Sequence, residues 1–273
     1  MSNNTPRDLF SVDDKIVVVT GGCGQLGRQF SGTLLQRGAR VAIFDVNAKA
    51  FKPNQGNDEI ENLLTLSVDV SRRESIEEGL AEVVSTWGTP HALINNAALD
   101  SPPDAPKEEN GPFESYPEAS WDRVMEINSK GVFLCCQAIG SRMAAEGRGS
   151  IVNICSIYGI VSPDQRLYKY RSSREGAFFK PVAYSASKSS IINLTRYLST
   201  YWAERNVRVN TLTFGGVFNN QDKQFLENYA ARVPMKRMAR EDEYNGAIVF
   251  LTSDASSYMT GANLIIDGGW TAW

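Results

Sequence analysis

Short, apolar, β-branched segments recur along the chain, and longer stretches with helical spacing of apolar residues separate them. Within each short segment apolar residues follow one another without polar alternation, which is typical of strands buried on both faces of a parallel sheet. These segments begin at Lys15, Arg40, Leu63, His91, Ser150, Val207 and Asn263. The pattern predicts an α/β fold: a Rossmann-type, doubly wound parallel sheet in a three-layer α/β/α single domain.

Two stretches break this alternation. Residues 99–118 are rich in proline and acidic side chains, and residues 157–183 carry a cluster of basic side chains, so both are expected to be loop insertions. Long loops in a compact domain are often binding loops, although solvated insertions also occur. We predict a polar N-terminal tail over residues 1–10 and one domain over residues 11–273.

A glycine-rich motif, TGGCGQLG, spans Thr20 to Gly27 directly after the first predicted strand. Glycine lets the backbone turn sharply and approach a pyrophosphate, which the first amides of the following helix then stabilise. A tight turn without a ligand is the alternative. Because the motif stands between a strand and a helix in the first βαβ unit, it favours a dinucleotide-binding site.

Asp45 ends the second predicted strand. A carboxylate at this position can accept hydrogen bonds from both ribose hydroxyls of NAD, and it repels the 2′-phosphate of NADP. The sequence therefore predicts NAD as the cofactor in preference to NADP. The alternative is that Asp45 only caps the turn that follows the strand.

Tyr184 and Lys188 stand at positions i and i+4 of a segment with helical apolar spacing, so they share one face of the predicted helix. A cation close to a phenol favours the phenolate, and we expect Lys188 to lower the pKa of Tyr184 toward a value useful for proton transfer.

Together these motifs resemble the short-chain dehydrogenase/reductase family over nearly the whole chain, from about Val12 to Trp273. The matching segments are TGGCGQLG, Asp69-Val70, NNAA from Asn95, INSKG around Asn128, NICS ending at Ser156, YSASK from Tyr184, RVNTLTFGG and TGANLIIDGG. The resemblance implies that Tyr184 is the catalytic acid/base and that Lys188 lowers its pKa and holds the nicotinamide ribose. Ser156 would hydrogen-bond the reacting oxygen, and Asn128 would position a water in a proton relay.

The same resemblance implies which residues hold the cofactor. Asp69 and Val70 would flank the adenine, Asn95 and Ala97 the adenosine ribose region, and Val217 the nicotinamide amide. The remaining expected cofactor contacts are Gly21, Gly24, Gln25, Leu26, Gly27, Asp45, Tyr184 and Lys188. The chain departs from the family pattern at Gln25, where glycine is usual, and at Phe214, where proline is usual.

The reaction implied is hydride transfer between a nicotinamide and a secondary alcohol or ketone, with the proton moving through Tyr184. The segment between Ser156 and Tyr184 is longer than in most of the family. We hypothesise that its basic side chains bind an anionic group of a sugar or sugar derivative; a solvated or subunit-contacting loop is the alternative. The basic side chains of this segment are Arg166, Lys169, Arg171, Arg174 and Lys180, and the first four are the candidate substrate residues.

The 99–118 loop and the ending DGGWTAW resemble members associated with bacterial surface-glycan and flagellin sugar biosynthesis. Two other functions stay open: reduction of a small keto-acid or acyl ketone, and a non-catalytic NAD-binding sensor. Apolar residues in excess of one core face, from Asn128 to Met143 and after Tyr184, lead us to expect a homodimer or homotetramer.

Composition limits the kinds of partner and of reactive site that we expect. A net charge of -3 and a pI near 5.4 favour neither a nucleic-acid nor a membrane partner, and a cytoplasmic location is expected. The single histidine and the irregular spacing of the cysteines favour reduced thiols, with no metal site and no cysteine nucleophile. The cysteines are Cys23, Cys135, Cys136 and Cys155.

Overall fold

The computed structural model describes residues 8–51, 61–100, 107–171 and 178–273. These residues form a seven-stranded, fully parallel sheet in the order β3-β2-β1-β4-β5-β6-β7. The strands are β1 Ile16–Thr20, β2 Arg40–Asp45, β3 Leu63–Ser67, β4 Ala92–Asn95, β5 Gly149–Ser156, β6 Val207–Phe214 and β7 Asn263–Ile266. The predicted parallel sheet is confirmed, and each strand lies within two residues of its predicted start.

Helices cover both faces of this sheet, which gives the predicted three layers. The helices are α1 Gln25–Gln36, α2 Arg73–Trp87, α4 Val182–Trp202, α5 Lys223–Arg232 and α6 Asn245–Thr252. Helix α3 is a continuous run made of Glu118–Met125, Glu126–Gly131, Val132–Cys135, Cys136–Gly140 and Ser141–Ala145. Its second and fourth pieces are wide π-helical turns.

Two apolar clusters hold the layers together. On one face of the sheet, Ile76 of α2, Ile139 of α3 and Ile191 of α4 are fully buried. On the other face, Phe30 of α1 and Ile248 of α6 are equally buried. Strand residues such as those of β1 are buried on both faces of the sheet. Neither face is therefore open to solvent there, as the continuous apolar runs predict.

The order of the strands places the functional region. The chain winds outward from β1 through β2 and β3, then returns to β4 on the other side of β1. In doubly wound sheets, ligands bind outside the carboxyl ends of the strands at this point of reversal. The carboxyl ends of β1, β2, β4 and β5 carry the glycine motif, Asp45, the NNAA segment and Ser156 respectively.

Both predicted insertions are less irregular than expected. Single helical turns occupy Lys107–Asn110 and Phe113–Ser115 in the first, and Ile157–Gly159 and Gln165–Tyr168 in the second. Within the predicted tail, residues 8–10 touch the domain, because the carbonyl of Leu9 accepts a 2.8 Å bond from the amide of Ala255. Residues 1–7 lie outside the described residues.

Candidate active site

The glycine motif forms a tight turn between β1 and α1. Gly21 has a positive φ of 62°, and a Cβ there would lie 2.7 Å from the Cα of Ala97. A Cβ on Gly27 would lie 2.2 Å from the carbonyl oxygen of Gly21, so both positions require glycine. Gly24 is the N-cap of α1 and supplies no side-chain cap, which leaves the first amides of the helix to a ligand such as a pyrophosphate.

Asp45 lies beside this turn, at the end of β2. Its Oδ2 accepts a 3.0 Å hydrogen bond from the amide of Cys23, and its Oδ1 accepts a 2.8 Å bond from the amide of Asn47. The carboxylate is only half-buried. Asp45 is therefore fixed against the glycine turn and caps the turn after β2, and its contact with a ribose stays a prediction.

Asp69 and Val70, which are predicted to flank the adenine, follow β3. The Oδ1 of Asp69 accepts bonds from the amide and the hydroxyl of Ser71, at 2.9 and 2.7 Å, which fixes this turn. Val70 is buried against Gly131 of α3. Both residues lie at the same sheet edge as Asp45, one strand further out.

Asn95 and Ala97 occupy the end of β4 and the residues after it. The side chain of Asn95 is buried and donates a 2.8 Å bond to Oδ1 of Asn153, so it points into the domain interior. The buried Oδ1 of Asn95 has no hydrogen-bond partner among the described residues, and the predicted contact of this residue with the adenosine ribose stays a prediction. The amide of Ala97 donates to Oγ1 of Thr20 at 3.0 Å, which ties this segment to the glycine turn.

Tyr184 and Lys188 lie in the first two turns of α4, which begins at Val182 after Pro181. The Lys188 ammonium is buried, donates to the carbonyl of Ile154 at 3.1 Å, and lies 6.0 Å from the centre of the Tyr184 ring. Burial lowers the pKa of Lys188. The predicted helix and its shared face are confirmed, and the ammonium is held on the β5 side of the tyrosine.

Burial raises the pKa of Tyr184 well above its ordinary value, the negative charge of Asp100 adds to this, and a hydrogen bond with Ser156 opposes it. The pKa of Tyr184 is therefore raised where the sequence-based expectation was a lowered one, because removal from water has the largest effect on the phenol. The phenol is kept in its protonated form. That is the form that donates a proton to a ketone oxygen.

Asn128 lies in the first wide turn of α3, one of the places where helices carry functional side chains. Its amide nitrogen donates to the carbonyl of Leu99 at 2.9 Å and to the hydroxyl of Ser187 at 3.0 Å. Its oxygen accepts a 2.7 Å bond from the amide of Leu99. Asn128 therefore joins the loop after β4 to the catalytic helix, and its part in a water relay stays a prediction.

Ser156 and Tyr184 face a cleft of about 310 Å³. One end of the cleft reaches Gln25 and Leu26 beside the glycine turn, and Val217 lies on its wall. Aromatic rings form much of the remaining lining, at Tyr158, Tyr168, Tyr170, Phe178, Phe214, Phe225 and Tyr229. A dinucleotide on the glycine turn would thus extend toward a half-aromatic, half-polar chamber that contains the phenol and the serine hydroxyl.

A family model described as enoyl-(acyl carrier protein) reductase matches residues 25–271. The chain belongs to the short-chain dehydrogenase/reductase family. It is 33% identical to the NAD-dependent glycerol dehydrogenase of Listeria innocua, with 96% of each chain covered. This family is one of oxidoreductases, and the family model covers Asp45 and the helix that carries Tyr184 and Lys188.

Solved structures of the family agree with this fold. A short-chain dehydrogenase from Leptospira borgpetersenii with bound NAD+ superposes with a TM-score of 0.84 at 31% identity, covering 97% of this chain and 96% of that one. A gluconate 5-dehydrogenase from Burkholderia cenocepacia, in complex with NADP and tartrate, gives a TM-score of 0.83 at 26% identity, covering 97% and 98%.

The two departures from the usual family sequence have structural roles here. Gln25 donates to the carbonyl of Phe218 at 2.8 Å, so it links the start of α1 to the loop after β6. Phe214 packs on Tyr244 with 4.6 Å between ring centres. Both residues line the cleft, and neither obstructs the glycine turn.

The basic side chains of the second insertion do not all lie at the cleft. Arg166 is exposed and bound to Asp164, with Nε to Oδ1 at 2.8 Å, and it lies outside the cleft lining. Lys169 is exposed and also lies outside that lining. The hypothesis that these two bind substrate is therefore not supported by their positions. Arg171 does line the cleft, with its guanidinium 4.2 Å from the centre of the Phe178 ring, and Arg174 lies outside the described residues.

Sequence reasoning named Lys180 only as one of the basic side chains that could bind an anionic group, not as a neighbour of Tyr184, and it did not name Trp270. The Lys180 ammonium lies 4.7 Å from the centre of the Tyr184 ring and pairs with Asp100. The spacing Lys180, Tyr184, Lys188 repeats every four residues and could have drawn attention to the first lysine. Trp270 stacks on Tyr229 at 4.9 Å behind the cleft, and no local motif near the end of the chain indicates that contact.

The cysteines do not form a reactive centre of their own: Cys155 lies beside the Tyr184 helix, where its thiol donates to the carbonyl of Lys188 at 3.2 Å, and Cys23 lies in the glycine turn. Burial raises the pKa of Cys136 to about 12 and that of the half-exposed Cys23 to about 11, so both stay protonated near neutral pH. All four cysteines are free. Across the described part of the chain, no group of His, Cys, Asp and Glu side chains has the arrangement of a metal site, and no helix is long and apolar enough to span a membrane.

Proposed function

We propose that this protein is an NAD-dependent dehydrogenase/reductase that acts on a secondary alcohol or ketone of a polyhydroxylated, sugar-like substrate. One observation carries the proposal: Tyr184 and Ser156 line the same cleft as Gln25 and Leu26 of the glycine motif, and Asp45 is bonded to that motif through the amide of Cys23. An acid/base group and a dinucleotide site that meet in one chamber suit hydride transfer coupled to proton transfer.

The residues fit the cofactor. The uncapped start of α1 suits a pyrophosphate, Asp45 suits an unphosphorylated ribose, and Val217 of the cleft wall and the buried Lys188 would hold the nicotinamide end. When bound, the nicotinamide exchanges a hydride with the carbinol carbon. The carboxylate of Asp45 would repel a 2′-phosphate, which supports NAD over NADP, although a relative of this fold binds NADP.

The side chains of this chain handle the proton. Ser156 is positioned to hydrogen-bond the substrate oxygen, and the Tyr184 phenol donates the proton that a ketone gains or removes the proton that an alcohol loses. The buried Lys188 stabilises the phenolate left by proton donation. The aromatic wall excludes water and keeps this exchange local.

A sugar-like substrate is supported by the mixed lining of the cleft. Aromatic rings can cover the C–H faces of a polyol, and Asp100, Asp222, Asn110 and Gln221 offer hydrogen-bonding groups to its hydroxyls. Similar proteins act on glycerol and on gluconate. An anionic substituent would be bound by Arg171, with Arg174 as a further candidate; a surface-glycan or flagellin sugar remains the narrower candidate substrate.

We also propose a homodimer or homotetramer. Phe133 on α3, and Tyr197 and Tyr201 on α4, are 45%, 62% and 66% exposed, which is costly for a solitary chain. The two tyrosine rings stack on one another at 5.9 Å and form a flat apolar surface. The cytoplasmic location expected from the sequence stays a prediction.

The testing experiment follows the absorbance of reduced nicotinamide with polyols, sugar acids, sugar phosphates, nucleotide sugars and small keto-acids, each with NAD and NADP. Turnover of polyhydroxylated compounds with NAD, abolished in Tyr184→Phe, supports the proposal. Turnover of small keto-acids alone overturns the substrate class. Cofactor binding without turnover of any compound supports a sensor and overturns the enzymatic function.

A further inference from the structure

Lys180 is held close to the catalytic tyrosine from outside helix α4. It lies just before Pro181, and its side chain is only 9% exposed although lysine is normally a surface residue. Its ammonium is 4.7 Å from the centre of the Tyr184 ring, nearer than the 6.0 Å of the Lys188 ammonium. Two lysine ammonium groups thus lie within 6.0 Å of the centre of one tyrosine ring.

Without compensating contacts, placing a lysine ammonium at this position would cost free energy. An ammonium loses hydration when it is buried, and the N-terminus of α4 carries a partial positive charge. Two contacts offset this cost: Asp100 pairs with the ammonium, and Gln165 binds the main chain of Lys180 with bonds of 2.9 and 3.4 Å. An ion pair of this kind adds little stability by itself, so its placement beside the reacting group calls for a functional account.

Asp100 is held in turn by the catalytic region. It follows Leu99, whose amide and carbonyl both bind the side chain of Asn128. The chain of contacts therefore runs from Asn128 to Leu99, Asp100 and Lys180, and ends at the Tyr184 ring. A lysine on a solvated loop would have no such support.

We propose that Lys180 is a positioning residue for Tyr184, acting as a second cation beside Lys188, and that Asp100 limits how strongly its charge acts on the phenol. The proposal rests on the acid/base role given to Tyr184 in the proposed function. Lys180 stabilises the phenolate during proton transfer, while the carboxylate of Asp100 offsets this and preserves the protonated acid.

Other groups also face the phenol. Lys188 approaches from its own helix, Ser156 and Cys155 from β5, Tyr158 from the turn after β5, and Asp100 from the loop after β4. The negative charge of Asp100 acts in the direction that raises the pKa of Tyr184. Removal of Lys180 and removal of Asp100 should therefore move the titration of Tyr184 in opposite directions.

The experiment measures the pH dependence of kcat/KM for alcohol oxidation. We expect Lys180→Met to raise the apparent pKa of the catalytic base by about one unit and Asp100→Asn to lower it. Lys180→Arg, which keeps the cation, should restore the native profile. A Lys180→Met enzyme with a changed KM or kcat but an unchanged pH profile would show a substrate-binding or structural role and would overturn the proposal.

A second readout does not depend on turnover. The ultraviolet titration of tyrosinate, taken as the difference between each protein and its Tyr184→Phe counterpart with NAD present, reports the phenol directly. Opposite shifts in Lys180→Met and Asp100→Asn support the proposal even if no substrate of the panel reacts. Absence of both shifts in folded variants overturns it, whatever the outcome for the proposed function.

Discussion

The side chain of Asn128 binds both main-chain groups of Leu99, with its oxygen 2.7 Å from the amide nitrogen and its nitrogen 2.9 Å from the carbonyl oxygen. With one donated and one accepted bond, the Asn128 side chain pairs with Leu99 as a neighbouring main chain does in a β-sheet. It thereby holds the chain after β4 against a wide turn of α3. Since the same nitrogen also reaches Ser187 of α4, three parts of the active site share one buried side chain.

Tyr184→Phe removes the phenolic hydroxyl while keeping the ring. Because proton transfer by a positioned side chain contributes about 10²–10⁴-fold, we expect kcat to fall by at least about 100-fold. NAD affinity, measured by fluorescence titration, should change little. The matched control is Tyr197→Phe on the exposed face of the same helix, which should keep full activity; comparable losses in both variants would contradict the assignment.

Asp45→Asn removes the charge beside the glycine turn, and its single amide oxygen can accept only one of the two main-chain bonds that Oδ2 receives from Cys23 and Oδ1 receives from Asn47. We expect the ratio of kcat/KM with NADP to that with NAD to rise by about tenfold or more, since the repulsion of the 2′-phosphate is lost. Asp69→Asn removes a charge one strand further out and serves as the control. An unaltered cofactor ratio in the Asp45 variant would refute the ribose contact.

Gly27→Ala places a Cβ against main-chain atoms of Gly21 and Gly22, which cannot move without opening the turn. We expect the free energy of unfolding to fall by about 1–3 kcal/mol, as for other overpacked sites, and NAD binding to weaken. Denaturant titration and calorimetry measure these effects. Gly246→Ala in α6, where a Cβ meets nothing within 4 Å, should instead be neutral or stabilising by up to about 1 kcal/mol.

Arg171→Ala tests whether Arg171 binds an anionic substituent of the substrate. Charged hydrogen bonds contribute about 1.5–3 kcal/mol, so we expect KM for a sugar acid or sugar phosphate to rise by about tenfold or more, while KM for a neutral polyol stays the same. Arg166→Ala, outside the cleft, should change neither value. Equal effects of Arg171→Ala on charged and neutral substrates would mean that the residue shapes the cleft without binding an anion.

His91 gives the stability a pH dependence. Its Nδ1 accepts a 3.0 Å bond from the amide of Ile16, and burial, followed by the charges of Arg148, Lys15 and Arg40, lowers its pKa to about 4. The folded chain holds the imidazole neutral while the unfolded chain protonates it near its ordinary pKa of about 6.5. The free energy of unfolding should therefore fall as the pH drops from about 6.5 to about 4.

Replacement of His91 by Gln should flatten this pH dependence, measured by urea unfolding at several pH values. Glu243→Gln is the control, because Arg237 lowers the pKa of Glu243 to about 2 and its stabilising effect is lost only as the pH falls from about 4.5 toward 2. A His91→Gln protein with the native slope between pH 4 and 6.5 would show that another group binds the proton.

The pattern of residues along the chain predicted most of the fold. Apolar runs without alternation require burial on both faces, so the parallel sheet, its helical layers and the start of α1 after the glycine turn followed from the residues themselves. The pairing of Tyr184 with Lys188 followed in the same way, because the pitch of a helix alone puts positions i and i+4 on one face.

Contacts between distant segments were decided only by the tertiary structure. The raised pKa of Tyr184 depends on burial under the loops that close the cleft, and no local spacing records how much water those loops exclude. Likewise, Arg166 and Arg171 stand in one basic stretch, yet Asp164 holds the first outside while the second lines the cleft. The sequence by itself determined which reactive side chains the chain carries. The packing of loops against helix α4 decided which charged side chains lie close to Tyr184. Only the tertiary structure could decide this, because charge interactions depend on distance and on the exclusion of water.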